Sequence, residues 1–336
     1  MNDSKLIKTD YIVIGSGLSG LTIANILSKN GLKTIVVDKG HKAGGRMSHG
    51  VMNRSKVELN DFEYDHGAQF FTARSDEFKK EVDVWLENKW IKKWCNGFSK
   101  NDGYPRYIGI NGMHSLPLKI SENLNVFQKT TIKRLKLLKN DWFLEGSDNI
   151  NFSSKYLIMT PPLPQTIKLL AKHIYLFDKK FLEEINNINY DKCISLMMSI
   201  KKETNIKFPG AMQKPNSFLD FVTDNKLKGI SKKNCITAHA SASFSDFIWE
   251  FNDEKCKNIM INELAKLINF EKIETKIHKW KYAKPKHVLN YFFKQAKHNP
   301  NLIITGEIFG GAKLEGAFLS GINTANYLVN NRVVGL

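Results

Sequence analysis

Cysteine is scarce in this chain of 336 residues, and the four present, Cys95, Cys193, Cys235 and Cys256, form no CxxC pair. A disulfide framework is therefore not expected, and the thiols read as buried or incidental in a reducing compartment. None has metal-like spacing with a histidine, and the nine histidines contain no HExxH pattern, so no metal site is expected. Long apolar runs are missing too. A membrane-spanning helix needs roughly 18 or more apolar residues in a row, and no such run occurs. The opening MNDSKLIKTD has no apolar signal core, which leaves a cytoplasmic protein with no membrane partner as the expectation. Arginine is rare for so basic a protein: six arginines stand against 44 lysines within a net charge of +17. The lysines are scattered rather than gathered in a tract, and the planar arginine fork suited to specific phosphate and base recognition is nearly absent, so no nucleic-acid partner is expected. The positive field favours anionic small molecules. No Ser/His/Asp set, paired-carboxylate arrangement, repeat or low-complexity tract stands out.

What is present is the composition of a folded protein, 42% hydrophobic and 11% aromatic, long enough for two domains. Its most informative stretch is YIVIGSGLSGLTIANIL, Tyr11 to Leu27. An apolar strand, then Gly15, Gly17, Ser19 and Gly20, then a helical pattern, is the arrangement that seats a pyrophosphate on a helix N-terminus. TIVVDKG supplies a second strand ending in Asp38 and Lys39, at the distance where an acid holds the adenosine ribose. In AGGRMSHG, Gly45 and Arg46 offer a flexible backbone and a fixed cation for a second pyrophosphate contact. FEYDHGAQFFTAR adds His66, Gly67, Ala68 and Gln69. At the far end, Leu302 to Thr305 reads as a last buried strand, Gly306-Glu307 as its turn, and Glu315, Gly316 and Ala317 as the start of a helix whose dipole faces the cofactor. Between them, Ser75 to Asn88 reads as a capped helix with Phe78, Val82 and Trp85 on one face. Asn125 to Pro162 reads as a β-meander with a turn at Lys139-Asn140-Asp141. Helical patterns follow at Thr166 to Leu176 and Lys255 to Asn269, interleaved with strand-like CISLMMSI and NCITAHASASF.

The order GxGxxG, ribose acid, GGR and DHGAQFFTAR resembles the flavin-containing amine oxidase superfamily, and the last phrase looks most like its renalase-like bacterial branch of FAD/NAD(P)-binding oxidoreductases. YIGINGMHSLPLKI, ITAHASASFSDFIWE and IHKWKYAKP are similar to phrases of the same branch. The resemblance implies an α/β fold: a Rossmann-like FAD-binding domain of the glutathione-reductase/p-hydroxybenzoate-hydroxylase type with an inserted mixed α+β substrate domain. The expected boundaries are 1–74, 108–163 and 285–336 for the discontinuous FAD-binding domain, and 75–107 with 164–284 for the substrate domain. It also implies that backbone at Ile132 meets the adenine, and that His239, Trp249, Trp280 and Tyr282 join His66 and Gln69 as candidate substrate-cavity residues. Asp38 stands where the family more often has glutamate, and Glu307 where it often has aspartate.

The elements beyond the N-terminal fingerprint point to FAD rather than a simple nicotinamide site, and no cysteine follows Cys256 to attach it covalently. The activity implied is oxidation of isomeric dihydronicotinamide forms of NAD(P) to NAD(P)+, with hydride taken onto flavin N5 and oxygen reduced to hydrogen peroxide. Oxidation of a small amine or polyamine, with Trp280 and Tyr282 framing the nitrogen, is the alternative. A third reading, from another class, is a non-catalytic flavoprotein that binds a partner or RNA through its basic surface.

Overall fold

The computed structural model describes residues 5–52, 62–98 and 102–333, with only the backbone described at 332 and 333. Residues 1–4 of the opening segment and Arg54 lie outside the described residues.

The apolar strand at the start of the fingerprint, Lys5–Ile14, lies at the centre of an eight-stranded sheet. Along its main path the order is Phe293–Ala296, Asn299–Thr305, Ile150–Met159, Lys5–Ile14, Thr34–Val37, Asn125–Phe127. The inner strands are parallel, with Ile14 opposite both Val37 and Met159, and Met159 opposite Ile304. Their carboxyl ends therefore finish level, which is where open α/β sheets bind ligands. The hairpin Arg134–Leu138/Asp141–Glu145, turning through Lys139 at φ 57°, joins the outer half of Ile150–Met159.

Alternation along the central strand divides the core in two. Tyr11 and Val13 face the helices Leu18–Lys29 and Leu314–Val333, packing with Ile23, Leu27 and Leu328. Ile12 and Ile14 face the other way, toward Trp142, Phe152, Leu170 and Phe181. That second face is covered by the hairpin and by helices Leu163–Leu170 and Lys179–Asn186. The helical pattern expected to run from Thr166 to Leu176 stops at Leu170 and resumes as a single tight turn, Ile174–Leu176. The small face of the C-terminal helix packs on the fingerprint helix: a Cβ at Gly321 would stand 2.8 Å from the Ser19 carbonyl oxygen.

The helix Asp76–Glu87 begins at Ser75, whose Oγ accepts from Phe78 N, and buries Phe78, Val82 and Trp85 as its periodicity predicts. Its core includes Leu18, Met47 and Leu116, so it rests against the loops of the nucleotide-binding sheet.

The second sheet is antiparallel, ordered Ala211–Gln213, Leu219–Asp224, Cys235–Ala240, Tyr190–Ile200, Lys272–Pro285. Ile194, Leu196 and Met198 point to one face, where helices Ala242–Ile248 and Asp253–Ala265 complete a separate core with Met260 and Leu264. The other face carries Ser195, Met197 and Ser199 and looks toward the two-stranded sheet His49–Met52/Phe62–Asp65 and the segment after it, through Met197 on Tyr64 and Ser195 on His66. This architecture matches the expected Rossmann-like domain joined to an α+β insert. Among the described residues no helix is long and apolar enough to cross a membrane.

Candidate cofactor and substrate site

The three fingerprint glycines do different work. Gly15 has φ +104°, a conformation that disfavours any side chain, and a Cβ there would stand 2.4 Å from Thr160 Oγ1. A Cβ at Gly20 would lie 2.0 Å from the Gly15 carbonyl oxygen, so Gly20 permits close packing of turn and helix. Gly17 is different: its φ of −73° suits any residue, and nothing lies within 4 Å of a Cβ built on it. The open space beside Gly17 faces the first turn of the helix, where unpaired N–H groups and the helix dipole attract an anion. Ser19 in that turn is buried, and its Oγ has no partner among the described residues.

Asp38 follows directly on the second strand, Thr34–Val37, and reaches Ser16, the residue before Gly17. One carboxylate oxygen accepts from Ser16 N at 2.5 Å and Ser16 Oγ at 2.8 Å, and the other from Gly40 N at 2.6 Å. A carboxylate offers about four lone-pair sites, so these bonds aim the group and still leave acceptor capacity. Ile132 lies near this end of the sheet, two residues beyond Thr130, whose N–H donates to the Asp38 carbonyl at 2.9 Å. Lys39 is exposed and bonds Gln165 Oε1 at 3.1 Å.

The GGR loop is tied to the fingerprint by Gly44 N to Ser16 O at 2.8 Å. The DHGAQ segment rests on the same loop through Ala68 N to Arg46 O at 2.8 Å. Gly67 makes this approach possible, since a Cβ there would fall 1.9 Å from Arg46 O. The Arg46 guanidinium pairs with Glu307 at 2.9 Å and donates to the carbonyls of Tyr282 and Ala283. Glu307, after Gly306 at φ +123°, also accepts from Tyr190 OH at 3.1 Å. One arginine thus draws together the loop, the turn after the last strand and the insert. The Glu315 carboxylate accepts from Ser75 N at 2.6 Å and from Ser75 Oγ at 2.7 Å, joining the start of the C-terminal helix to the start of Asp76–Glu87. Gly316 packs on Gly311, and Ala317 N donates within the first helical turn to Lys313 O.

The inward face of the second sheet closes over DHGAQ. Ser195 is in register with His239 on one neighbouring strand and His278 on the other, so the three form a row across the sheet. Ser195 Oγ donates to the His66 carbonyl at 2.8 Å, and Trp280 Nε1 donates to the same oxygen at 2.9 Å. The His66 ring stacks on Trp280 at 5.7 Å and meets His278 edge-on at 5.2 Å. His239 Nε2 lies 3.4 Å from Gln69 Nε2. Burial, with His278 adding to it, pulls the His66 pKa from 6.5 to about 4, and burial does the same to His239. Both rings are neutral near pH 7, and His66 Nδ1 is a buried atom with no partner among the described residues. Tyr282 shares the inward parity of Trp280 and meets Tyr190 edge-on at 5.6 Å.

Trp249 is not brought to this cluster. It follows helix Ala242–Ile248 on the opposite face of the insert's sheet, packs on the insert's own core, and its carbonyl accepts from Lys279 Nζ at 2.9 Å. Lys279 has the outward parity, one residue from inward-facing Trp280, which explains the placement.

Beneath Gln69 lies a buried network of which the sequence motif shows only Asp65, the first residue of DHGAQ. Lys228 Nζ sits 2.7 Å from Asp65 Oδ2 with both side chains wholly buried. Asp65 Oδ1 also accepts from Met113 N at 2.9 Å and contacts His49 Nδ1 at 3.0 Å. Burial pushes the Asp65 carboxyl up, but Lys228 and His49 outweigh it and hold it below the usual range. A period-two reading of the strand around Ser195 and Thr237 would have flagged their inward faces; nothing in the sequence marks Lys228 among 44 lysines. Among the described residues no group of three metal-ligating side chains is present.

Comparison with known proteins bears on the fold. Residues 13–83 match the model of an NAD(P)-binding Rossmann-like domain. A stretch of 85 residues is 38% identical to thiamine thiazole synthase of Archaeoglobus fulgidus, covering 22% of this chain and 33% of that protein. A stretch of 50 residues is 44% identical to pseudooxynicotine dehydrogenase of a Pseudomonas species, covering 15% of this chain and 10% of that protein. The chain thus spans a third or less of these relatives' lengths. Solved structures match over nearly the whole chain. An engineered triple mutant of putrescine oxidase has a TM-score of 0.70 at 11% identity, over 97% of this chain and 100% of that one. Cyclohexylamine oxidase from Brevibacterium oxydans has a TM-score of 0.64 at 11% identity, over 96% and 99%. At such identities the likeness is one of fold: a Rossmann-like nucleotide-binding domain with an insert, shared with amine-oxidase structures.

Proposed function

We propose that this protein is an FAD-dependent oxidoreductase that holds its flavin without a covalent bond. The observation that carries the reading is the open space at Gly17, at the helix N-terminus, with the Asp38 carboxylate held on the neighbouring Ser16. These groups fit a dinucleotide: Gly17 and the helix take the pyrophosphate, and Asp38 takes the adenosine ribose. Asp38 also disfavours a 2′-phosphate at that ribose by charge repulsion. When bound, flavin supplies hydride acceptance at N5 and the subsequent reduction of oxygen to peroxide.

The residues of this chain prepare the donor side. Trp280 stacks on the His66 ring beneath the insert, and His66 Nδ1 is buried with no partner among the described residues. Neutral His66 and His239 provide no charged base, which suits a substrate that loses hydride alone. We infer that this substrate is an isomeric dihydronicotinamide form of NAD(P), oxidised to NAD(P)+. The basic surface favours such an anion. The second reading is a small amine or polyamine, favoured by Trp280 and Tyr282 lying at the same parity of one strand. The notional division into 1–74, 108–163 and 285–336 against 75–107 and 164–284 places the cofactor in the first unit and specificity in the second.

Anaerobic mixing with each donor class tests the reading. Bleaching of the oxidised-flavin absorbance, at about 450 nm, by dihydronicotinamide isomers supports it. Bleaching by amines alone moves the assignment to the second reading. If neither class bleaches it and RNA binds with a steep salt dependence, the catalytic reading fails.

A further inference from the structure

Four arginines have described side chains, and three are committed to carboxylates: Arg46 to Glu307, Arg106 to Asp102 and Arg134 to Glu145. Arg74 is the exception. Its guanidinium has neither a carboxylate nor a hydrogen-bond acceptor among the described residues and lies 5.2 Å over the ring of Tyr104. A guanidinium held by its face keeps its N–H groups directed outward in its own plane, where they bind a carboxylate or phosphate through two bonds at once. Arg74 and Tyr104 line a cleft of about 460 Å3, a volume in the range of small-ligand sites.

The cleft is assembled from separate stretches of chain. Arg74 ends the segment FEYDHGAQFFTAR, and helix Asp76–Glu87 contributes Lys79, Val82 and Asp83, which share one face at i, i+3 and i+4. Tyr104, Pro105 and Tyr107 form the remaining wall. That wall is tied in place: Tyr104 N donates to Asp102 Oδ1 at 3.1 Å, the Tyr104 carbonyl accepts from Arg106 Nη1, and Tyr107 exchanges backbone bonds of 2.8 and 3.0 Å with Phe71. Charge divides the cleft. Lys79 is shared with Asp76 at 3.0 Å, which leaves Arg74 as the unpaired cation, while Asp83 presents a carboxylate one helical turn beyond Lys79. A bare polyanion is disfavoured by Asp83. A ligand with an oxyanion at one end, a flat ring, and hydroxyl or amino donors elsewhere matches every wall.

We propose that this cleft is a second ligand site that takes a nucleoside monophosphate unit, with its phosphate on Arg74, its ring against Tyr107 and Pro105, and a hydroxyl or amino donor on Asp83. None of the lining residues belongs to the fingerprint, the Asp38 strand or the GGR loop, so the site is distinct from the space at Gly17. The unit comes either as a free mononucleotide or as the adenylate half of a dinucleotide, and the chemistry recognised is the same.

The test is the 15Nε–H spectrum of the arginines in the full-length protein, after incubation with FAD and removal of the excess so that the space at Gly17 is filled. The chain has six arginines, and the Arg74 signal is identified by its loss in Arg74→Lys. AMP should move that signal saturably, while adenosine and inorganic phosphate each bind at least about tenfold more weakly. In equilibrium dialysis Arg74→Ala should weaken AMP binding at least about tenfold, and Tyr104→Ala about twofold to fivefold. Both side chains are exposed, so the melting temperature should not change. NAD+ binding as tightly as AMP or tighter assigns the site to the adenylate half of a dinucleotide, and weaker binding assigns it to a free mononucleotide. An Arg74 signal that stays still at millimolar AMP, inorganic phosphate that binds as well as AMP, or equal AMP affinity in wild type and Arg74→Ala overturns the proposal. The difference between those two proteins reads this cleft alone, so a protein that takes up no FAD counts against the cofactor reading and leaves this test standing.

Discussion

Gly17 and Gly20 lie three positions apart at the start of one helix, and the structure assigns their replacement by alanine opposite consequences. A Cβ at Gly17 meets nothing within 4 Å and the residue's φ of −73° is ordinary, so alanine fits the empty protein without strain. The reduced freedom of the unfolded chain stabilises by about 0.4–1 kcal/mol. Gly17 is also the helix N-cap, where alanine is worse than glycine by a similar amount, so the net change is within about 1 kcal/mol. In cofactor-free protein the melting temperature should stay within about 2–4 °C. The added methyl occupies the space offered to a pyrophosphate, and losing one charge-assisted hydrogen bond of about 1.5–3 kcal/mol lowers FAD affinity roughly tenfold to a hundredfold or slightly more. Gly20→Ala drives a Cβ to 2.0 Å from the Gly15 carbonyl and should destabilise the empty protein by about 1–3 kcal/mol. Thermal melts of cofactor-free protein and FAD titrations by flavin fluorescence measure both effects. The reasoning is refuted if Gly17→Ala binds FAD within about twofold of wild type, or if Gly20→Ala leaves the empty protein as stable as before.

Three further outcomes are expected. Asp38→Ala should weaken FAD retention by roughly tenfold, measured as flavin content after dialysis, and unchanged affinity would show that the ribose is held elsewhere. Tyr282→Ala should alter the rate of flavin reduction by substrate more than flavin content, since its side chain touches only Tyr190 among the aromatic rings while its backbone holds Arg46; if stopped-flow traces and flavin content both stay at wild-type values, Tyr282 has no part in the site. His66 and His239 have pKa values depressed from 6.5 to about 4, so the unfolded chain binds more protons than the folded one between those values. Their contribution is complete above about pH 6.5 and is lost as pH falls toward 4, on the order of 1–3 kcal/mol each. Denaturant melts at pH 7 and pH 4.5 should show that drop, and the loss should shrink in a His239→Gln variant.

The parts of this protein that could be read in advance are those whose chemistry is local. Gly15, Gly17, Gly20 and Asp38 lie within one strand–helix–strand unit, and the helix after Ser75 declares its cap and its apolar face within 14 residues. Two strands of the inserted sheet were legible, CISLMMSI and NCITAHASASF, but not their faces: whether a residue looks at the Rossmann-like domain or at the insert's own helices depends on register. Trp280 and Lys279 are neighbours on opposite faces, and Trp249 followed the helix to the far one. Lys228 was beyond reach for another reason. Its partner Asp65 is 163 positions away, and a lysine in a lysine-rich chain carries no signal of burial. Glu307 and Glu315 were visible in the sequence as acids near glycines, whereas their partners Arg46, Tyr190 and Ser75 are fixed only by the closed fold.

The central claim is that the space at Gly17 belongs to FAD. The most direct measurement is the absorbance spectrum of the protein as purified, followed by mass analysis of the small molecule released on heating. A yellow protein releasing one FAD per chain by heat alone is the predicted result. A protein that releases NAD(P), retains its flavin covalently, or carries no dinucleotide even after incubation with FAD contradicts it.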